Sequence, residues 1–328
     1  MCENKMILEA KAAKKGFHWG LELLLFAAVF LAAEIAASIP LIVAETVLAM
    51  TTFRESGSLT VSEMLGNQPV WMTPLQLFST GLMTVTVLLF CRLLQKRSVR
   101  SVGLGKKHAL PEYLVGALIG IVMISASFGV CLAFGGFRAV RSDFSIGIWI
   151  ACLFGFLIQG MSEEVLCRGY FMVSVARKNA LFWAVFLNSI FFSLLHLFNP
   201  GFSPLACLNI FLFGLFESFF VLWRGNLWGA CAIHSFWNFF QGNVFGVSVS
   251  GSEIVASPLL AQNVDGQAKQ LWNGGSFGLE GGLAVTLVLS VSTAAALLLW
   301  LRSRKRDQKE PVRVNVDDAP LSYDPFGK

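Results

Sequence analysis

Long apolar stretches alternate with short polar segments along the whole chain. Eight such stretches lie at residues 21–43, 75–94, 113–134, 146–168, 181–198, 205–223, 227–245 and 283–301. A helix needs about 20 mainly apolar residues to cross roughly 30 Å of hydrocarbon. The pattern therefore predicts an all-α fold, a polytopic membrane bundle of about eight transmembrane helices. Polar residues interrupt the fourth and seventh stretches.

The overall composition also indicates a membrane protein. Hydrophobic residues make up 55% of the chain and charged residues 14%, and the mean hydropathy is +0.66. These values lie outside ordinary soluble usage, so we expect the lipid bilayer to be the main surrounding of the protein. The net charge of +5 is interpreted as a topology signal, and no nucleic-acid partner is expected.

The basic residues are unevenly divided between the two sides of the predicted bundle. With an even number of spans and both termini inside, 21 of the 25 Lys and Arg residues fall in cytoplasmic segments. Short loops rich in Lys and Arg are retained in the cytoplasm. We therefore expect a multi-pass membrane protein with cytoplasmic N- and C-termini, and the short first loop favours a prokaryotic plasma membrane.

Three parts of the chain are expected to differ in character. Residues 1–16 form a basic cytoplasmic arm, residues 17–301 the transmembrane domain, and residues 302–328 a basic tail that is predicted to be disordered. A polar segment at 243–279, rich in Gly, Ser, Asn and Gln, is expected to be an outer loop.

Three polar motifs lie inside the apolar stretches. They are Glu163-Glu164-x-x-x-Arg168, Phe192-x-x-x-His196 and His234-x-x-x-Asn238. The chain has only four histidines, and two of them are in these motifs. Ionisable groups at membrane depth are costly and face the bundle interior. The motifs therefore predict a buried polar active site.

The spacing of the first motif separates its two glutamates. Glu164 and Arg168 are four residues apart and share a helix face, which favours an ion pair. Glu163 points about 100° away and is free for another partner, as a general base acting on water requires. The alternative is that both glutamates pair with arginines at a helix end.

The predicted depths of the polar residues agree with one another. At about 1.5 Å per residue, Glu163, His196, His234 and Asn238 lie roughly 21, 22, 15 and 21 Å from the cytoplasmic ends of their helices. They would then share one band in the membrane. The agreement fails if Arg168 already lies at the interface, because Glu163 would then be only about 7 Å deep.

The ordered trio of motifs resembles the CPBP family of intramembrane proteases. That family contains the CAAX prenyl endopeptidases and bacterial relatives linked to bacteriocin processing or immunity. The similarity extends over residues 146–246, the expected protease core. It implies an endopeptidase that cleaves a membrane protein or peptide; the motifs do not indicate whether that substrate is prenylated.

The resemblance also implies roles for the motif residues. Glu163 would activate the attacking water, with His196 and His234 orienting that water or a metal ion. Asn238 would stabilise the oxyanion. Glu164 and Arg168 would give structural support around these residues.

The sequence leaves metal use open but favours a metal ion, which would make the chain a metalloendopeptidase. The zincin signature HExxH is absent, and Glu163, His196 and His234 could supply three ligands to a divalent metal ion such as zinc. Glu164 could serve as a further ligand. Alternatively, the carboxylate and the two imidazoles position water directly.

Two other classes of protein use buried Glu and His residues. A transporter or channel would relay protons or ions through them, and a bacteriocin-immunity protein could use the same fold without enzymatic activity. The chain shows no duplicated halves of the transporter kind. Two further acids in apolar stretches, Glu34 and Glu217, are expected to act as hydrogen-bonding residues in the packing, and Glu217 could alternatively line a substrate path. The sequence predicts no oligomeric state.

Overall fold

The computed structural model describes residues 4–13, 17–56, 69–178, 180–253, 255–264 and 266–309. Most of these residues are helical. The helices are α1 (Lys5–Ala12), α2 (Trp19–Ser56), α3 (Met72–Ser79), α4 (Gly81–Leu93), α5 (Ala109–Ala133), α6 (Ile146–Glu164), α7 (Leu181–Leu194), α8 (Pro204–Arg224), α9 (Trp228–Asn243), α10 (Gln267–Asn273) and α11 (Leu283–Lys309). Two short strands, β1 (Phe137–Arg141) and β2 (Leu259–Asn263), complete the fold.

Six helical segments in the described residues are long and apolar enough to cross a membrane. They are Trp19–Arg54, Met72–Leu93, Ala109–Ala133, Ile146–Ala176, Pro204–Arg224 and Leu283–Arg306. The predicted all-α, multi-pass membrane bundle is thereby confirmed. The other two predicted spans correspond to α7, a shorter apolar helix, and α9, which has 16 residues. For these two helices, spanning stays a prediction.

The helical backbone continues beyond Glu164, the last residue of α6. It continues through a π-helical segment, Val165–Met172, and a last α-helical turn, Val173–Ala176. The span therefore extends well past Arg168, whose side chain is fully buried. The helix therefore does not end at Arg168.

A buried arginine outside the spans holds the π-helical segment. Arg97, in the loop after α4, is 1% exposed and donates hydrogen bonds to the carbonyl oxygens of Gly169 at 2.8 Å and Tyr170 at 3.2 Å. Burial lowers the pKa of the Arg97 guanidinium from its ordinary value. These carbonyl contacts, with further bonds to Ser101 and Ser174, compensate the buried charge.

Small residues allow the central helices to approach closely. A Cβ atom on Gly160 of α6 would overlap the backbone of Ser235 in α9, and one on Gly116 of α5 would overlap the backbone of Gly229 in α9. Close backbone contact of this kind is typical of helix pairs in membranes. Helix α9 is therefore packed tightly between α5 and α6, with most of its side chains buried.

The second apolar stretch is divided beside α6. Helix α3 ends at Ser79 and α4 begins at Gly81. At this break the hydroxyl of Ser162 donates to the carbonyl oxygen of Thr80 at 2.8 Å. Because Ser162 precedes the two motif glutamates, the break fixes the position of α6 at the level of the polar motifs.

The predicted outer loop contains ordered structure. Strand β2 pairs with β1 in antiparallel register, from Phe137 opposite Asn263 to Arg141 opposite Leu259. The segment also contains α10. At the other end of the chain, α11 extends to Lys309, past the predicted end of the last span. The prediction of disorder for the remaining tail falls on residues 310–328, which lie outside the described residues, as do residues 1–3 and 14–16 of the arm.

Candidate active site

The predicted catalytic residues line one cavity of about 390 Å³. Its walls come from α2, α3, α4, α6, α7, α8, α9 and α11, together with the segment between α9 and α11. Four of its residues are those expected from the motifs: Glu163, His196, His234 and Asn238. The cavity thus brings together residues that are separated by up to 75 positions in the sequence.

His234 lies between the two motif glutamates. Its Nδ1 atom is 3.0 Å from Oε1 of Glu164, and its Nε2 atom is 3.7 Å from Oε2 of Glu163. The side chain of His234 is 6% exposed, whereas that of Glu163 is 26% exposed. Glu164 therefore binds the His234 ring on its buried side, and Glu163 faces the cavity.

The predicted ion pair between Glu164 and Arg168 is present. Nη1 of Arg168 donates to Oε1 of Glu164 at 2.8 Å, and both side chains are fully buried. In this ion pair Glu164 is the anionic partner. An ionised Glu164 can only accept hydrogen bonds, so Nδ1 of His234 carries the proton in this contact. In the neutral ring, Nε2 then presents a lone pair on the side of Glu163.

His196 lies just beyond the end of α7. Its backbone N–H donates to the carbonyl oxygen of Ser193, and its Nδ1 atom is 2.9 Å from the carbonyl oxygen of Phe192. A carbonyl oxygen only accepts, so Nδ1 carries the proton here as well. The Nε2 atom of His196 is left available for other contacts in the cavity.

The three predicted metal ligands do not form one ligand set. Glu163 and His234 are adjacent, but no group of three His, Cys, Asp or Glu side chains among the described residues is placed to hold a metal ion. A shell made by Glu163, His196 and His234 would require His196 to move towards the other two. In the arrangement described these three residues do not form a metal shell, and the metal alternative stays a prediction.

The aromatic ring of Phe192 connects the three motifs. The Arg168 guanidinium carbon lies 4.2 Å from the ring centroid, a distance that allows a cation–π interaction. The same ring contacts His196 and His234 edge to face, at centroid distances of 5.1 and 5.9 Å. This packing gives a physical reason for an aromatic residue one turn before His196.

Sequence reasoning missed Gln159. The amide nitrogen of Asn238 donates to Oε1 of Gln159 at 3.0 Å, and the amide nitrogen of Gln159 donates to Oε1 of Glu163. Gln159 lines the cavity with the motif residues. The available signal was an amide residue in an apolar stretch, one helical turn before Glu163 and hence on the same face.

The two additional acids have different surroundings from those predicted. Glu217 is fully buried and close enough to Glu164 and Arg168 for direct electrostatic interaction. Neither of its carboxylate oxygens has a hydrogen-bond partner among the described residues, so its expected role as a packing hydrogen bonder is wrong. Glu34 of α2 lines the cavity with Glu163.

One family model matches the chain, over residues 145–240. The family is described as Rce1-like, the type II CAAX prenyl endopeptidases. The matched segment contains all three polar motifs. It confirms the predicted resemblance to the CPBP and CAAX protease family, and it supports an intramembrane CAAX-type endopeptidase. No curated protein and no solved structure matches the chain.

Proposed function

We propose that this chain is an endopeptidase that hydrolyses a peptide bond of a membrane protein or membrane-associated peptide within the bilayer. The observation that carries the proposal is the 3.7 Å separation between Oε2 of Glu163 and Nε2 of His234 at the wall of the cavity. Both atoms are hydrogen-bond acceptors when the carboxyl group is ionised and the imidazole is neutral.

A water molecule fits the requirements of this pair. It has two O–H donors, and a hydrogen-bonded water oxygen lies about 2.8 Å from each acceptor, so one water can contact both atoms. Such a water keeps a lone pair free for attack. Glu163 is assigned as the base because its carboxylate faces the cavity and is the more exposed of the two groups, whereas the ring of His234 is held by its bond to Glu164.

The proposed reaction begins with attack of the water oxygen on the carbonyl carbon of the substrate. As the new C–O bond forms, Glu163 accepts a water proton and the carbonyl oxygen becomes an oxyanion. Asn238 has a second amide hydrogen besides the one donated to Gln159, and this hydrogen is available for the oxyanion. When the C–N bond breaks, Glu163 returns the proton to the leaving amine.

His196 is assigned to substrate orientation in the same cavity. Its Nε2 atom is free of the contact with Phe192, and it can accept a hydrogen bond from the peptide N–H of the substrate. This mechanism uses only side chains of the chain. It contains no step through a metal ion, since Glu163, His196 and His234 do not form one ligand set in this arrangement.

The proposed location is a prokaryotic plasma membrane, with the arm (1–16) and the tail (302–328) in the cytoplasm and residues 17–301 in the membrane domain. The distribution of Lys and Arg supports this orientation. In a variant without native cysteines, a cysteine at Glu253 should react with a membrane-impermeant maleimide in intact cells. A cysteine at Lys305 should react only after lysis; the reverse pattern would overturn the orientation.

The function is tested by comparing membrane proteins from cells that express the wild type, Glu163→Gln or Glu45→Gln. Glu45 is an exposed glutamate of α2 outside the cavity, so its variant is a matched control. We expect one or more membrane proteins to remain uncleaved with Glu163→Gln and to be cleaved with the control. Identical cleavage patterns in all three membranes would contradict the proposal and favour a transporter or an immunity protein.

A further inference from the structure

We infer that Gln159 is a positioning residue that sets the orientations of both Glu163 and Asn238. The inference rests on the proposed function, because it concerns the candidate base and the candidate oxyanion donor. It goes beyond the three motifs, none of which includes Gln159.

Two hydrogen bonds place Gln159 between these residues. Its amide nitrogen donates to Oε1 of Glu163, one turn later on α6, and its carbonyl oxygen accepts from Nδ2 of Asn238 on α9 at 3.0 Å. The three side chains thus form a chain of hydrogen bonds along the wall of the cavity.

The chemistry of the groups determines the direction of this chain. An ionised carboxylate has no donor, so Gln159 must turn its NH₂ group towards Glu163. The Gln159 carbonyl oxygen then faces α9, where it accepts from the NH₂ group of Asn238. The opposite orientation of either amide would place two acceptors or two donors in contact.

As a consequence, the amide of Asn238 is held in one orientation, with its NH₂ group as the hydrogen-bond donor. With its NH₂ group held towards Gln159, one amide hydrogen is used and the other remains available in the cavity. A rotated Asn238 amide would present its carbonyl oxygen instead, which would repel an oxyanion. Through Gln159, the ionised carboxylate of Glu163 therefore determines that Asn238 turns its NH₂ group, and not its carbonyl oxygen, towards Gln159 and the cavity.

The backbone packing makes this bridge possible. Gly160, the next residue, lies against the backbone of Ser235 in α9. The two helices are consequently close at this level, and a single glutamine side chain is long enough to reach Asn238, three residues beyond Ser235.

The first experiment is a double-mutant cycle with Gln159→Met and Asn238→Ala. Activity is measured on an internally quenched peptide that contains the cleavage site found in the membrane comparison, in vesicles of phosphatidylethanolamine and phosphatidylglycerol. Gln159→Met should lower kcat by about 10- to 100-fold through misplacement of the reacting groups, with little change in KM. In the Asn238→Ala background the same change should cost much less, because coupled residues are not additive.

Two further variants sharpen the cycle. Gln159→Glu keeps an acceptor for Asn238 but places a like charge beside Glu163, so kcat should fall at least as far as with Gln159→Met. Gln262→Met alters an exposed glutamine of β2 outside the cavity and should leave kcat unchanged. Independent, multiplicative losses from Gln159→Met and Asn238→Ala would overturn the inference.

A second measurement needs no substrate. In nanodiscs with ¹⁵N-labelled side-chain amides, the Gln159 signal is identified by its absence in Gln159→Met. It should shift in both Glu163→Ala and Asn238→Ala but not in Gln262→Met. An unchanged signal in both variants would contradict the hydrogen-bond chain even if all variants are folded.

The results separate this inference from the proposed function. If Glu163→Gln leaves cleavage intact, the proposed function fails. If Glu163→Gln abolishes cleavage while Gln159→Met leaves kcat unchanged, the function stands and the role of Gln159 fails.

Discussion

Oε1 of Glu164 lies 3.0 Å from Nδ1 of His234, although the two residues are 70 positions apart in the sequence. The same oxygen accepts from Arg168 at 2.8 Å. One buried atom therefore links an ion pair within α6 to an imidazole on α9. The Glu164–Arg168 ion pair, which was predicted to be structural, therefore also determines that Nε2 of His234 faces Glu163.

Replacing Glu163 or His234 by alanine should abolish most of the peptidase activity without unfolding the bundle. Loss of a general base lowers the rate by about 10²–10⁴, and Asn238→Ala should cost about 10²–10³ if it stabilises an oxyanion. Cleavage of the quenched peptide in vesicles measures the rates, and thermal unfolding in detergent checks the fold. Near wild-type cleavage by Glu163→Ala would remove the protease assignment.

Glu164 and Arg168 should behave as a unit in stability measurements. Removing one partner leaves a buried charge alone and should cost roughly 3–5 kcal/mol, whereas Glu164→Gln combined with Arg168→Met should cost less than the sum of the two. The double variant should still lose activity, since His234 loses its acceptor. The measurement is the free energy of unfolding of the single and double variants.

Glu112 and Arg224 provide the matched control for that experiment. Their side chains also form an ion pair, with 2.6 Å between Nη2 of Arg224 and Oε1 of Glu112, but they are 13% and 29% exposed. Because a partly exposed charge is less costly to leave unpaired than a fully buried one, removing Glu112 or Arg224 should destabilise the protein less than removing Glu164 or Arg168. Additive losses at Glu164 and Arg168 would contradict the predicted coupling.

Gly160→Ala should disturb the contact between α6 and α9. Its Cβ atom would lie 2.7 Å from the backbone nitrogen of Ser235, so the helices must separate, at a cost of about 1–3 kcal/mol. Cleavage should fall too, because Glu163 moves away from His234. The control is Gly129→Ala in α5, where nothing lies within 4 Å and removal of a helical glycine should stabilise by about 0.5–1 kcal/mol. Equal effects of the two changes on unfolding temperature would refute the packing argument.

Treatment with the chelator 1,10-phenanthroline should leave cleavage unchanged. The reason is the geometry of the donors: Glu163 and His234 face each other, and His196 does not complete a set of three. The rate is measured before and after treatment, and metal content is determined on the purified protein. Loss of activity that zinc restores in the wild type but not in His196→Ala would establish the metal alternative and require movement of His196.

Much of the fold was predictable because membrane spanning depends on length and hydropathy. Apolar runs identified the positions of the long helices, and the i, i+4 spacing identified the pairing of Glu164 with Arg168. Glu163 and His234, which were expected to share one band of the membrane, have side-chain atoms 3.7 Å apart. These features depend on local spacing or on one coordinate along the membrane normal.

The remaining features depend on contacts between helices, which spacing does not encode. Three such features follow from how α6, α8 and α9 face one another. They are the hydrogen bond from Nδ1 of His234 to Glu164, the hydrogen bonds of Gln159 to Glu163 and Asn238, and the absence of a hydrogen-bond partner for Glu217 among the described residues. The pairing of β1 with β2 joins segments more than 100 residues apart, and a short polar segment carries little pattern that predicts such a strand.

The π-helical segment Val165–Met172 makes the length of α6 critical to within one residue. A π-helix pairs residue i with i+5, one residue more per bond than an α-helix, so it rotates the two halves of α6 relative to each other. The helix before the segment directs Glu163 and Glu164 towards His234, and the segment itself offers the carbonyl oxygens of Gly169 and Tyr170 to Arg97. Deleting a single residue would permit a regular and intrinsically better helix, but only one of these two sets of contacts could then survive.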